Sequence, residues 1–207
     1  MLGLNYLKTM IISVILIVFS TGLLSAGESP ISKGAKLAGG SLAYTSRSGD
    51  LWENGNNDRL TITEGQPVFM FFIAEGFAAG IVGLSQKLSQ GKQERSVFGL
   101  GPEIQYYFDP QKEEDKFKGK FLPFVSFGAT YLTATKNFGS AGETTKEYSG
   151  FSIRGKGGVV YMMSNSIGMT IGLSYSYDKL KQTEPEETNS LNGGSFMIEY
   201  GFTAFIF

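Results

Sequence analysis

The chain has 207 residues, which suits a single domain, and its 18 basic and 19 acidic residues give a net charge of −1. This near-neutral balance gives no support to nucleic-acid binding. The lack of cysteine excludes a disulfide framework, and the lack of histidine removes the commonest metal ligand and the usual general base near neutral pH. We therefore expect no catalytic residue, no cofactor and no metal.

The first 26 residues are typical of a secretory signal peptide. Lys8 gives a weakly basic start, Met10–Phe19 is a short apolar core, and Leu24–Ala26 offers a small-residue cleavage site. The apolar core is shorter than the roughly 20 residues that a membrane-spanning helix needs. We therefore expect a signal peptide over residues 1–26, a polar lead-in over 27–38 and one domain over 39–207.

From residue 39 onward, apolar and polar residues alternate along most of the chain. Period two indicates β-strands, because successive side chains in a strand point to opposite faces of the sheet. No helical period of any length appears. The pattern predicts eight strands, which are Gly40–Arg47, Arg59–Phe72, Phe77–Ser89, Glu94–Asp109, Lys120–Thr135, Tyr148–Met163, Gly168–Asp178 and Gly193–Phe207.

Two positions are expected to disturb this regular pattern. In the third strand the alternation loses its phase around Gly83 and Leu84, which predicts a β-bulge. In the fourth strand Pro102 has no N–H to donate, so we expect an unpaired position or a bulge there.

The last strand, GGSFMIEYGFTAFIF, predicts a sheet with one apolar face and one polar face. Phe196, Ile198, Tyr200 and Phe202 share one face, while the other face is small or charged. The predicted strands are also longer than the mode of about 5–6 residues in soluble sheets, and roughly 9–11 tilted residues span a bilayer. The even number of long strands favours an all-β fold, an eight-stranded antiparallel up-and-down transmembrane β-barrel with apolar side chains facing lipid.

In that register, six charged side chains point into the barrel. A charge facing lipid at the bilayer midplane costs about 2–4 kcal/mol, which favours an inward position. Eight strands leave an interior just wide enough for side chains to fill. We therefore predict a lumen closed by a balanced ionic network, with the alternative that some members lie in water at strand ends. The six residues are Glu64, Arg95, Glu103, Arg154, Lys156 and Glu199.

Several stretches resemble sites without matching them. Gly155–Gly158 lacks the spacing of a phosphate-binding loop, and glycines in a tight barrel wall explain it better. The oxygen-rich loop Asp50–Asp58 could hold Ca²⁺, but its spacing does not match a calcium loop. Glu184, Glu186 and Glu187 could bind cations or lipopolysaccharide through bridging ions. We interpret these stretches as barrel wall and solvated loops.

Three strings and the final strand carry a resemblance to a known family. GSLAYTSRSGDLWENG, GLGPEIQYYF, KFLPFVSFGATY and the Phe-ended last strand resemble small outer-membrane β-barrel proteins of the porin-like superfamily. The resemblance implies the Gram-negative outer membrane, periplasmic termini and contact with outer-membrane lipid and lipopolysaccharide. It also implies insertion by the barrel-assembly machinery, which reads a C-terminal strand ending in an aromatic, here Phe207. We expect a monomer.

One feature departs from that family's C-terminal signal. The alternate positions counted back from Phe207 should face lipid, yet they include Thr203, Gly201 and Glu199. Either the strand is bulged near its end, or the signal is loosely met.

The leading hypothesis for function is an integral outer-membrane protein, structural or surface-exposed, with a filled lumen and no catalytic activity. The alternative is a narrow porin-like channel for small solutes or apolar molecules. A lipid-modifying enzyme fits poorly without histidine. A soluble lipocalin-like barrel would need the aromatic face inside.

Overall fold

The computed structural model describes residues 29–47, 60–91, 93–108, 117–137, 146–184 and 190–207. The predicted signal peptide, the oxygen-rich loop Asp50–Asp58 and the acidic residues Glu186 and Glu187 lie outside the described residues. Within the described ranges, no helix is both long enough and apolar enough to cross a membrane.

Eight strands form one closed antiparallel barrel, in which each strand pairs with its neighbours in the chain and the last pairs with the first. This confirms the predicted fold class. Strand β1 begins at Lys36, inside the expected lead-in, because residues 36–38 pair with both β2 and β8. The strands are β1 (Lys36–Arg47), β2 (Leu60–Ala74), β3 (Phe77–Gln90), β4 (Gln93–Tyr107), β5 (Phe121–Asn137), β6 (Lys146–Met162), β7 (Ile167–Glu184) and β8 (Ser190–Ile206).

The bulge expected at Gly83 and Leu84 is wrong. The register of β3 with β4 runs without a shift from Phe77 to Gln90. On the other side, β2 and β3 keep their register past Pro67 and shift only near Phe72. The pairing with β3 skips Pro67 because proline has no N–H for the ladder. Gly83 therefore lies opposite a proline, and its small size allows the two backbones to stay in step.

Pro102 interrupts the ladder as expected. The pairs between β4 and β5 stop after Leu100 and resume at Glu103 in the same register. A missing donor thus removes local pairing while the strand stays straight enough to keep its partner.

The barrel has an apolar exterior and a polar middle. Tyr175 and Phe202 are 55% and 61% exposed, and the large side chains beside them also point outward. The neighbouring positions on β7 and β8, such as Ser174 and Glu199, are buried inside. This arrangement is the inverse of a soluble barrel and matches the arrangement of a membrane barrel.

An aromatic cluster fills one end of the lumen, which we call the lower end because the turns at residues 75–76 and 163–166 and the chain end at Phe207 lie there. Phe205 packs against Phe72 and Tyr107 with ring centroids 6.3 and 5.8 Å apart, and Tyr107 packs against Phe124 at 5.6 Å. All four rings are at most 2% exposed. We call these four residues the aromatic floor.

Two segments outside the strands cross the lower end beneath this floor. Residues 29–35 are held by hydrogen bonds from the Gly34 N–H to the Phe72 carbonyl and from the Gly76 N–H to the Ile31 carbonyl. Residues 117–120 form a turn in which the N–H groups of Phe117 and Lys118 donate to Asn165 Oδ1 at 3.2 Å. Ile31 and Phe117 are buried against the floor. The lower end is therefore closed by chain as well as by side chains.

The C-terminal strand contains no bulge. Its register with β7 is constant from Ser190 to Ala204, and its register with β1 is constant from Tyr200 to Ile206. Phe205 consequently points into the lumen, and Phe207 packs against the same cluster. The loose match to the C-terminal signal is therefore a property of the sequence and not of a local distortion.

We predict that Phe205→Ala destabilises the barrel by about 3–5 kcal/mol, because the substitution opens a cavity in a packed floor. The free energy of unfolding in detergent micelles, measured by urea titration of the far-ultraviolet circular dichroism signal, tests this expectation. The matched control is Phe202→Ala, since detergent can fill the space that an outward ring leaves. Equal losses for the two variants would contradict a packed floor.

Candidate functional site in the barrel lumen

Five charged side chains lie in the middle of the lumen, and we call them the ionic layer. Each is on the inward face of its strand, because it has the same parity as the buried residues of that strand. They come from β2, β4, β6 and β8, so closure of the barrel is what brings them together. The members of the layer are Glu64, Glu103, Arg154, Lys156 and Glu199.

Glu64 is 1% exposed and accepts hydrogen bonds from three side chains. Arg154 Nη2 lies 3.1 Å from Glu64 Oε1, and Gln66 Nε2 donates to the same oxygen at 2.7 Å. Gln86 Nε2 donates to Oε2 at 2.8 Å. A buried carboxylate is tolerated only when its charge is paired and its lone pairs are satisfied, and Glu64 meets both conditions.

Glu199 is also 1% exposed and is even more densely bonded. Lys156 Nζ lies 2.5 Å from its Oε2, and the Ser41 hydroxyl donates to the same oxygen at 2.9 Å. The Ser174 hydroxyl and Gln66 Nε2 donate to Oε1 at 2.5 and 2.9 Å. Gln66 therefore bridges the two carboxylates and joins the two ion pairs into one network.

Glu103 is in the same layer but is held differently. Its side chain is 8% exposed and hydrogen-bonds to Ser126. Among the described residues, no cation lies within ion-pair distance of Glu103. The charges of Lys156 and Arg154 act on it from a greater distance, and both cations are already paired with other carboxylates.

Arg95 is not brought into the layer. It lies eight residues from Glu103 on the same strand, roughly 26 Å towards the other end of the barrel, which we call the upper end. Its Nε atom is buried without a hydrogen-bond partner among the described residues. The sequence pattern predicted the inward face for Arg95 but not its position along the barrel axis. Strand tilt and stagger determine which residues of different strands lie at the same position along that axis.

The neutral members of the network were missed by the sequence reading. Gln66, Gln86, Ser41 and Ser174 supply most of the hydrogen bonds to the two carboxylates. All four have inward parity on their strands, so the same alternation that singled out the charges could have found them. Lys120 was also missed; it is 8% exposed and lies over the Phe117 ring at 4.9 Å in the lower end.

A small cavity of about 30 Å³ lies between the ionic layer and the aromatic floor. Glu103, Gln105 and Lys156 line its polar side, and Tyr107 and Phe124 line it towards the floor. This volume suffices for a water-sized guest.

The glycine-rich stretch that resembles a phosphate loop is part of the wall. Residues 155–158 lie in the middle of β6 and pair with both β5 and β7. A Cβ atom at Gly158 would lie 2.9 Å from Phe124 Cε1, so glycine is needed there for packing. The described residues also contain no cluster of three or more acidic, cysteine or histidine side chains that could hold a metal ion.

We predict that the buried pair Lys156–Glu199 is strongly coupled. In a double-mutant cycle with Lys156→Met and Glu199→Gln, each single change leaves a buried partner uncompensated and should cost about 3–5 kcal/mol of unfolding free energy. The coupling energy should be about 1–3 kcal/mol. The matched control is the exposed pair Lys87–Glu94, 2.9 Å apart, whose coupling should stay below about 1 kcal/mol. Similar coupling in the two pairs would argue against a dry, rigid layer.

No protein-family model matches the sequence, and no curated protein matches it. Among solved structures, the crystal structure of Neisserial surface protein A (NspA) is similar, with a TM-score of 0.50 and 12% identity; the match covers 84% of this chain and 98% of that chain. The outer membrane protein OprG from Pseudomonas aeruginosa gives a TM-score of 0.49 at 13% identity, covering 86% of this chain and 99% of that chain. The match with NspA supports the fold alone. The resemblance to small eight-stranded outer-membrane barrels is therefore confirmed at the level of the fold.

Proposed function

We propose that this protein is an integral outer-membrane barrel of a Gram-negative cell, structural or surface-exposed, with a closed lumen and no catalytic activity. One observation carries the proposal: the barrel is apolar outside and ionic inside. Phe127, Ile153 and Leu173 are all at least half exposed, whereas Glu64 and Glu199 are 1% exposed. Water would favour the reverse, and only hydrocarbon around the wall makes this distribution stable.

The size of the wall supports the same proposal. The strands have 12 to 18 residues, and about 9–11 tilted residues suffice to cross a bilayer. The lower boundary of the apolar band carries paired rings, such as Phe121 with Tyr161 at 5.1 Å and Tyr106 with Phe108 at 4.8 Å. Aromatic side chains prefer the membrane–water interface because they have an apolar body and a polar edge. We place the lower end in the periplasm and the upper end at the cell surface beside lipopolysaccharide.

The packing of the lumen favours a structural role over a channel. The aromatic floor and the segments 29–35 and 117–120 block the lower end, and the hydrogen-bonded ionic layer fills the middle. The cavity between them, about 30 Å³, is far too small for a solute. A narrow channel would require the floor and both ion pairs to move together.

For assembly, we propose that the barrel-assembly machinery inserts the protein through β8, the strand that ends beside Phe207. The outward face of β8 offers Phe196, Ile198, Tyr200 and Phe202 as an apolar edge. The parity of this edge is opposite to that counted back from Phe207, so the recognised feature would be the apolar face and not the last residue alone.

The location is tested by fractionating cells that express the full-length protein. We expect the protein in the outer-membrane fraction, and we expect its electrophoretic mobility to change when the sample is boiled, because a folded barrel stays compact in detergent. A periplasmic maltose-binding protein serves as the marker for soluble leakage. Recovery of the protein with that marker, without a heat-dependent shift, would favour the lipocalin-like alternative.

The closed lumen is tested by recording from the purified protein in planar bilayers. We expect no large, steady openings, because the described side chains of the floor and the ionic layer fill the lower and middle parts of the lumen. A general porin reconstituted in the same bilayers provides the positive control. Reproducible unitary conductance from this protein would instead support the narrow channel.

A further inference from the structure

The ionic layer carries one negative charge too many. Glu64 pairs with Arg154 and Glu199 pairs with Lys156, while Glu103 is 92% buried with no ion pair among the described residues. Within the described ranges, the other buried or half-buried cations lie near the ends of the barrel. Arg95 lies eight residues from Glu103 along β4, and Lys120 lies eight residues from Gly128, the partner of Glu103 on β5, so each is separated by roughly 26 Å.

A buried, uncompensated carboxylate is costly, so a counter-charge must come from somewhere. Glu103 and Gln105 both line the cavity of about 30 Å³. Gln105 is 93% buried, yet the structure shows no hydrogen bond from its side chain to any described residue. Tyr107 lines the same cavity, and its hydroxyl also has no hydrogen-bond partner within the described ranges. Three side chains that carry oxygen atoms, Glu103, Gln105 and Tyr107, therefore line one cavity large enough for a water-sized guest.

We propose that this cavity binds a monovalent cation such as Na⁺ or K⁺, with Glu103 supplying the charge and Gln105 and Tyr107 supplying neutral oxygens. Alkali cations take oxygen ligands, and a single positive charge brings the ionic layer to neutrality. A divalent cation would leave the layer with one excess positive charge. Lys156 also lines the cavity, and its ammonium group is paired with Glu199 Oε2 at 2.5 Å, so two cations still face three carboxylates in the layer.

A single cation would supply both the missing counter-charge and a partner for the buried Gln105 amide. The competing arrangement is a proton on Glu103 together with a water molecule in the cavity, and the salt dependence measured below separates the two. The proposal does not depend on which membrane the barrel occupies, because the cavity lies wholly within the lumen.

The experiment measures the temperature at which the purified full-length protein in a nonionic detergent loses its compact gel mobility. The protein is titrated at pH 8 with NaCl, with KCl and with N-methyl-D-glucamine chloride at equal ionic strength. For the unchanged protein we expect Na⁺ or K⁺ to raise this temperature by about 3–5 °C at ten times the dissociation constant, relative to the organic cation.

The variants separate the site from general salt effects. Glu103→Gln should abolish the difference between the salts and should be at least as stable in the organic salt as the unchanged protein. Gln105→Leu keeps the charge but removes a ligand, so it should need a higher Na⁺ concentration for the same shift. Glu75→Gln removes an exposed carboxylate in the turn after β2 and should respond like the unchanged protein.

Binding is also measured directly by the broadening of the ²³Na NMR signal, which does not require the Glu103 variant to fold. Broadening by the unchanged protein that K⁺ displaces supports the site. Equal stability of the unchanged protein in all three salts, or an unaltered salt response in Glu103→Gln, would overturn the proposal in favour of water or a protonated carboxyl.

Discussion

The constraint behind this structure is that charged groups inside a narrow barrel must find their partners within it. Glu64 and Glu199 come from strands that are far apart in the sequence, and their cationic partners both come from β6. Arg154 and Lys156 are two residues apart, so one inward face of one strand serves both carboxylates. The Glu199–Lys156 pair spans only the neighbouring strands β6 to β8, whereas the Glu64–Arg154 pair joins β2 to β6 across the lumen and so depends on closure of the barrel. The same network ties β2 to two other strands, because Gln66 donates to Glu199 on β8 and Glu64 pairs with Arg154 on β6.

The lower end follows a different physical rule. There the lumen is filled by rings and aliphatic side chains, and the chain itself returns across the opening at residues 29–35 and 117–120. Residues 117–120 belong to the connector between β4 and β5, which is longer than the short turns expected on one side of such a barrel. Part of that connector packs Phe117 under the floor and gives two backbone N–H groups to Asn165. Apolar side chains in the floor need no hydrogen-bond partners, whereas the buried charges of the ionic layer need theirs. We therefore expect substitutions among similar apolar residues to be tolerated in the floor and the loss of a single partner to be costly in the layer.

The fold could be predicted from the sequence because alternation is a local signal. Each of the eight strands is long, and parity alone separates Phe202 on the outside from Glu199 on the inside. The heights of residues in the barrel could not be predicted in this way. Arg95 and Glu103 share a face, yet they are roughly 26 Å apart along the strand, and only the stagger between neighbouring strands shows which of them lies at the level of the ionic layer. The sequence of β3 alone also did not show that Gly83 lies opposite Pro67 of β2, where the register continues without a bulge.

The C-terminal strand shows how one residue type can serve two opposite faces. Phe202 faces outward at 61% exposure, and Phe205 faces inward at 1% exposure, with no bulge between them. The strand therefore carries an apolar series towards hydrocarbon and, from Thr203 to Phe207, an inward series that becomes apolar only where it reaches the floor. Because a shift of one residue would exchange these faces, the strand has a single acceptable register. That register places Glu199 beside Lys156 and Phe205 beside Phe72, so the polar and apolar halves of the lumen are aligned by the same strand.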